Sequence, residues 1–297
     1  MYRYFAYGLN IESTIAFSDL LPGKENPDVS IRLGATPETL PNVESQGPGF
    51  QASPERFLLN VEGTARYLVC EGREILVDPA PGGDAEDVRT FLFGSAFGAL
   101  FHQRGLLPLH ASAIQVGDGC VAFLGSPGEG KSAVAAAFAL RGHRVLTDDV
   151  CVVSVGDGKA SLAFPGLPYV KVCEDMARSL GMDPEAFPRA PGELGKHRIA
   201  LQDRFSRIPL PLLRAYLLSS ADCQDIKTEL LEGAGKAFVF VLHTYRRPFL
   251  AGRRQKADHF AKCARLGSQI VLKWIMRPRS PHPVDRMVEM VEADLAD

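Results

Sequence analysis

Long hydrophobic runs are missing from this sequence: no stretch is apolar for the length that a bilayer span requires. The opening residues Met1-Tyr2-Arg3-Tyr4 carry no apolar signal-peptide core, so the expected location is the cytoplasm. Cysteine is sparse and scattered, at positions 70, 120, 151, 173, 223 and 263, and never forms C-x-x-C. That spacing indicates neither a zinc site nor a disulfide framework. Several of these cysteines sit in apolar runs, where the thiol behaves as a small hydrophobe. Charge of one sign is lacking too. Lys and Arg number 33 against 35 Asp and Glu, a net charge of −2, which gives no global attraction to nucleic acid or an anionic membrane. No internal repeat or low-complexity tract is found. What is present, 46% hydrophobic and 23% charged residues in a chain of 297, is the composition of a globular protein with a full core. The length allows one large domain or two of ordinary size.

Two regions differ in character. Residues 1 to about 82 are rich in strand and turn signals, with strands expected over 2–11, 57–61, 66–70 and 73–77. The intervening segments 21–24 and 40–54 have the Pro, Gly, Ser and Asn content of loops. After Pro79-Ala80-Pro81-Gly82-Gly83, residues 84–103 read as one helix with Phe91, Leu92, Phe97, Leu100 and Phe101 as its apolar faces. The division is expected at 1–105, a β-rich region ending in that helix and able to dock a substrate, and 106–297, the catalytic domain. The aromatic opening Tyr2, Tyr4, Phe5 and Tyr7 reads as core of a small sheet or as a peptide-docking edge. In the second region strands over 107–116, 120–124 and 145–146 flank a helix over 133–140, which argues an α/β fold. Later elements are expected over 212–218 and 237–241, with a helix near 254–266, a strand over 269–275 and a last helix near 284–295.

Residues 125–132, Gly-Ser-Pro-Gly-Glu-Gly-Lys-Ser, fit G-x-x-x-x-G-K-[ST] without mismatch. The apolar run Val121-Ala122-Phe123-Leu124 precedes them and helix formers follow, which is the strand, glycine loop and helix start that a phosphate-binding loop requires. Gly128 and Gly130 let backbone N–H groups turn toward a phosphate. The nucleotide-binding set is therefore Gly125, Ser126, Pro127, Gly128, Glu129, Gly130, Lys131, Ser132 and Ala133. Lys131 is expected to reach the β- and γ-phosphates of ATP, and the Ser132 hydroxyl to hold Mg²⁺.

Thr147-Asp148-Asp149 follows a short strand, Asp148 standing 16 residues past the loop serine. Paired carboxylates at such a place can hold Mg²⁺ or accept a proton from an attacking hydroxyl, although Asp is also a common N-cap. His110 lies in the strand segment Leu109-His110-Ala111-Ser112-Ala113, next to the strand that feeds the loop. It reads either as a hydrogen-bonded core residue or as a partner of the γ-phosphate.

The order His110, the loop, Gly142-His143-Arg144-Val145 and Asp148-Asp149 resembles the HPr kinase/phosphorylase family. These are P-loop protein-serine kinases whose catalytic fold is similar to that of phosphoenolpyruvate carboxykinase. The resemblance is strong over residues 106–150. It implies an HPr kinase/PEP carboxykinase-type α/β catalytic domain, ATP and Mg²⁺ as cofactors, Asp148 as general base and His110 at the transfer centre. Asp149 is then the carboxylate that joins Ser132 on Mg²⁺. The family's hexamers suggest assembly into a homo-oligomer, but the N-terminal region here differs from theirs, so the oligomeric state is not readable from the sequence. Phe164-Pro165-Gly166-Leu167-Pro168 and Gly195-Lys196-His197-Arg198 resemble segments of HPr-kinase-related proteins from biosynthetic clusters. The opening Tyr2-Arg3-Tyr4-Phe5-Ala6-Tyr7-Gly8-Leu9 is similar to kinases found with lasso-peptide biosynthesis genes, which phosphorylate the C-terminal serine of a precursor peptide.

The chain departs from the bifunctional enzymes in lacking their long C-terminal phosphorolysis signature and in its N-terminal region. No adenine-pocket signature is readable. Positive charge for the transition state is expected from Lys196 and Arg198, which sit at the end of a Pro- and Gly-rich loop over 188–195, with Arg246, Arg247 and Arg253 as further candidates. Glu174 is a candidate second metal ligand or a plain surface carboxylate. The acceptor is expected to be a precursor peptide or small protein. A metabolite hydroxyl and a non-catalytic nucleotide-binding regulator are the alternatives.

Overall fold

The computed structural model of the chain describes residues 1–190, 195–279 and 283–296. It is a mixed α/β structure that separates into two compact units. The first comprises Met1–Pro108 and Thr244–Lys262, and the second Leu109–His243 and Cys263–Asp297.

The first unit is built on a nine-stranded sheet. Its spatial order is Leu21–Pro22, Tyr2–Ala6, Leu9–Ser13, Val29–Leu33, Glu74–Pro79, Ala65–Cys70, Arg56–Val61, Phe50–Ala52 and Ser45–Gly47. The run read as one strand over 2–11 is two strands, because Tyr7 and Gly8 both take positive φ, 54° and 75°, and pair Ala6 with Leu9 in a two-residue hairpin. That turn geometry suits the right-handed twist of the paired strands. Tyr7 accepts the left-handed backbone while its ring is buried against Phe97 and Phe101, with centroids 5.9 and 5.0 Å away. Tyr4 is buried as well, whereas Tyr2 is exposed, so the aromatic opening is partly core.

The single helix expected over 84–103 is interrupted. Asp84 caps the helix Ala85–Phe91 by accepting from the Glu86 and Asp87 N–H groups. A π-helical turn, Leu92–Ala96, then leads into the helix Phe97–Gln103. Phe93, Phe97 and Phe101 follow one another at four-residue steps, with neighbouring centroids 5.1 and 5.7 Å apart. The wider turn carries this aromatic row into register with Phe17 and Tyr7, which meet it edge-on. Gly94 and Gly98 let the segment beginning at Thr244 approach: a Cβ would lie 3.1 Å from Tyr245 Oη at Gly94, and 3.1 Å from Arg246 Cγ at Gly98.

The second unit carries the sheet that positions the site. Gly119–Leu124, buried along its whole length, pairs antiparallel with Leu107–Val116 and parallel with Leu210–Ala221. Leu210–Ala221 in turn pairs parallel with Val271–Pro278. The strands Val145–Thr147, Val150–Ser154, Leu162–Ala163 and Lys227–Leu231 complete this sheet. Both faces of the central strands are apolar, as a sheet covered on two sides requires. The helix Lys131–Leu140 packs near Val284–Ala296, where Arg141 meets Glu292 at 3.0 Å. The segment expected over 237–241 is helical, Gly235–Leu242, and the helix Gly252–Gln269 precedes the last strand. A separate ribbon pairs Tyr169–Cys173 with Lys196–Ala200. Residues 191–194 of the Pro- and Gly-rich loop lie outside the described residues.

Candidate active site

The strand Gly119–Leu124 ends at a loop whose backbone needs glycine. Gly125, Gly128 and Gly130 all have positive φ, 153°, 88° and 91°. A Cβ on Gly125 would stand 2.7 Å from the Leu218 carbonyl oxygen of the neighbouring parallel strand, whereas at Gly128 it would meet open space. Gly130 is the N-cap of Lys131–Leu140 and supplies no side-chain acceptor, and no acidic residue occupies the first turn. The first N–H groups of that helix are therefore left for an external anion, which the positive end of the helix dipole favours. Lys131 is 6% exposed. Its Nζ donates to the Gly125 and Ser126 carbonyls at 2.8 and 3.1 Å, folded back along the loop. Burial pushes the ammonium below its usual range, with Asp149 and Asp148 opposing that shift.

The two aspartates occupy different surroundings. Asp148 is 7% exposed and both its oxygens are engaged. Oδ1 accepts from Ser112 Oγ at 2.6 Å and Oδ2 from the Lys171 N–H at 2.9 Å, and Ser132 lies near enough to favour the charged form of the same carboxyl. Burial raises its pKa, Asp149 adds to the rise, and those hydrogen bonds oppose it. Asp149 sits at φ 69°, which Asp tolerates better than most side chains. Its Oδ2 accepts from Lys171 Nζ at 3.1 Å, and its Oδ1 lies 3.3 Å from His110 Nδ1. That ring nitrogen is also 3.1 Å from the Asp149 carbonyl oxygen. Burial alone would raise this carboxyl, but His110 and Lys171 outweigh it and hold Asp149 well below the usual carboxylate range. About a third of its side chain, 34%, remains exposed.

The structure thus brings His110, Lys131, Ser132, Asp148 and Asp149 together, and adds Ser112 and Lys171. His243, the C-cap of Gly235–Leu242, joins them: its carbonyl accepts the His110 N–H at 2.8 Å. Burial, then Lys131 and His110, hold its imidazole down to about 4. Lys196 is close enough to Lys131 to repel its charge. Arg198 pairs with Lys171 across the ribbon and sets its guanidinium 5.6 Å from the Tyr169 ring centroid. Arg246, Arg247 and Arg253 belong to the first unit. Glu174 lies 3.5 Å from His197 Nε2, and with Glu185 these three offer ligand atoms within 4.8 Å of one another.

No protein-family model and no curated protein matches the chain. Among solved structures it is similar to the Hpr(Ser) kinase/phosphatase from Coxiella burnetii, over 64% of this chain and 99% of that one. The identity is 13% and the TM-score 0.34, so the chemistry has to be argued from the residues themselves.

Three residues of this cluster were not singled out in the sequence. Ser112 stands two positions from His110 on the same strand and so on the same face, a spacing that could have pointed to it. Lys171 alternates with valines in Tyr169–Cys173, the pattern of a half-buried strand, but nothing local names its partner. His243 follows an apolar helix and carries no spacing signal.

Proposed function

We propose that this chain is an ATP-dependent kinase that transfers the γ-phosphoryl group to a hydroxyl. The observation that carries the reading is the uncapped glycine-led helix start with Lys131, set against two carboxylates in unlike environments. Residues 125–133 would hold the triphosphate through backbone N–H groups, with Lys131 leaving its loop carbonyls for phosphate oxygens.

The geometry favours exchanging the roles that the sequence suggested for the aspartates. Ser132 lies beside Asp148, so these two hard oxygen donors fit Mg²⁺, and Asp148 is too enclosed to meet a substrate hydroxyl. When bound, the ion would neutralise charge on the phosphates. Asp149 is the accessible carboxylate, and we assign it to orient the acceptor hydroxyl and take its proton. A carboxylate held low by Lys171 and His110 is a weak base, yet this suffices where the transition state is loose and proton transfer comes late. Lys171 and His110 fix its direction, while Lys196 and Arg198 are candidate sources of positive charge toward the transferring group.

For the acceptor we propose the C-terminal serine of a lasso precursor peptide, on the sequence resemblance of residues 2–9, 164–168 and 195–198. Intact-mass analysis after incubation with ATP, Mg²⁺ and a serine-terminated precursor peptide, with HPr protein alongside, tests this. Phosphate located on the last serine supports the assignment. Phosphate on HPr alone overturns the peptide reading, and transfer to neither directs the search to metabolite hydroxyls.

A further inference from the structure

Glu129 is an unexpected residue in a loop that has to cradle phosphates, since a free carboxylate there would repel them. Its Oε1 accepts from Ser220 Oγ at 3.2 Å, and its Oε2 lies 3.6 Å from an Nη of Arg277. Arg277 is 3% exposed, and its other Nη donates to the Pro278 carbonyl at 2.9 Å. Among the described residues, Glu129 Oε2 and Arg277 Nε are buried with no hydrogen-bond partner. Two orphaned polar atoms on one ion pair are costly, and folding alone gives no reason to keep them.

The position of the pair gives one. Ser220 and Arg277 are opposite partners on neighbouring parallel strands, three residues beyond the Leu217 that pairs with Leu124. Both therefore stand at the carboxyl end of the parallel strands, beside the glycine loop, where open α/β sheets take their ligands. Burial pushes the Arg277 guanidinium down and Glu129 acts against that shift, as expected of charges that depend on one another.

We infer that Arg277 is a positioning residue of the phosphate loop, offsetting the Glu129 carboxylate so that a nucleoside triphosphate meets backbone N–H groups and Lys131 rather than a negative charge. The inference rests on the nucleotide-binding reading above. It makes a prediction that a purely structural ion pair does not. Loss of either partner of a structural pair harms the loop in the same direction. Loss of the two charges of an electrostatic pair moves phosphate affinity in opposite directions.

The test is calorimetric titration of MgATP into the full chain, the parent beside Glu129→Gln, Arg277→Gln and the double variant. Arg277→Gln is expected to bind about tenfold more weakly or worse, because a buried carboxylate then faces the phosphates unopposed. Glu129→Gln is expected to bind about two- to threefold more tightly, and the double variant to return to within about threefold of the parent. Weaker binding by both single variants, unchanged binding by Arg277→Gln, or a double variant as weak as Arg277→Gln would overturn the inference. Should Arg277→Gln fail to fold, the sign of the Glu129→Gln effect still decides. A parent that binds no MgATP overturns the nucleotide reading itself, which is a distinct outcome.

Discussion

At the residue scale, the two adjacent aspartates are shifted in opposite directions, Asp148 upward by burial and Asp149 downward, against its burial, by His110 and Lys171, and their variants should separate. Asp149→Asn is expected to lower phosphoryl transfer by about 10²-fold or more while MgATP affinity stays within about threefold, measured by single-turnover kinetics and calorimetry. Asp148→Asn should weaken MgATP binding instead. Because burial raises the Asp148 pKa, its ionised form is disfavoured in the folded chain. Its contribution to stability is full below the unfolded carboxylate range and lost as pH rises through the folded pKa. Asp148→Asn removes that cost but leaves one of the two donors, Ser112 or the Lys171 N–H, facing an amide NH2 that cannot accept. Asp149→Asn, which breaks the contacts to Lys171 and His110, should therefore lower the melting temperature at pH 7 more than Asp148→Asn does. The opposite pattern in a thermal melt would reverse the assignment. At this scale the loop was legible, since 125–132 is a contiguous motif whose geometry is local. The partners of the carboxylates were not, because Lys171 and Ser112 reach Asp148 from separate strands and only the fold brings them there.

Three histidines set a pH prediction on the same scale. His102, His243 and His259 are each held down to about 4, with burial the largest cause. The unfolded chain takes up these protons near 6.5, so stability is full above that pH and falls as pH drops from 6.5 toward 4. The expected slope is up to about 1.4 kcal/mol per pH unit for each histidine. His102→Gln should flatten it, as measured by urea unfolding at a series of pH values. A slope unchanged by that substitution would place the titration elsewhere.

At the scale of elements, the π-helical turn Leu92–Ala96 determines which residues of its segment form core. Phe97 is fully buried between Phe93, Phe101 and Tyr7, and Phe97→Ala should cost about 3–5 kcal/mol of unfolding free energy. Denaturant unfolding checks this, and a loss below about 1 kcal/mol would contradict the packing described. The helix itself was legible from its apolar spacing. Its interruption was not, because a wider turn leaves no mark in a pattern of Phe, Leu and Ala. The hairpin at Tyr7-Gly8 was missed for a related reason: an aromatic residue at positive φ is uncommon, and burial of its ring in the Phe97 and Phe101 cluster offsets the backbone cost.

At the scale of the whole molecule, the α/β character and the strand–loop–helix at the centre of the second unit were readable from residues 107–140. The membership of Thr244–Lys262 in the first unit was not, since it depends on close approach at Gly94 and Gly98, positions that look ordinary within a helix. Ligand linkage belongs to this scale. MgATP at about 100 times its Kd should stabilise the chain by about 2.7 kcal/mol, with hydrogen-exchange protection concentrated at 125–133 and 147–150.

The most direct measurement is the titration of MgATP into the parent chain and Lys131→Met. Saturable binding of one nucleotide per chain is expected, weakened about tenfold or more when the Lys131 ammonium is removed. No binding by the parent at millimolar MgATP, or equal binding by Lys131→Met, would contradict it.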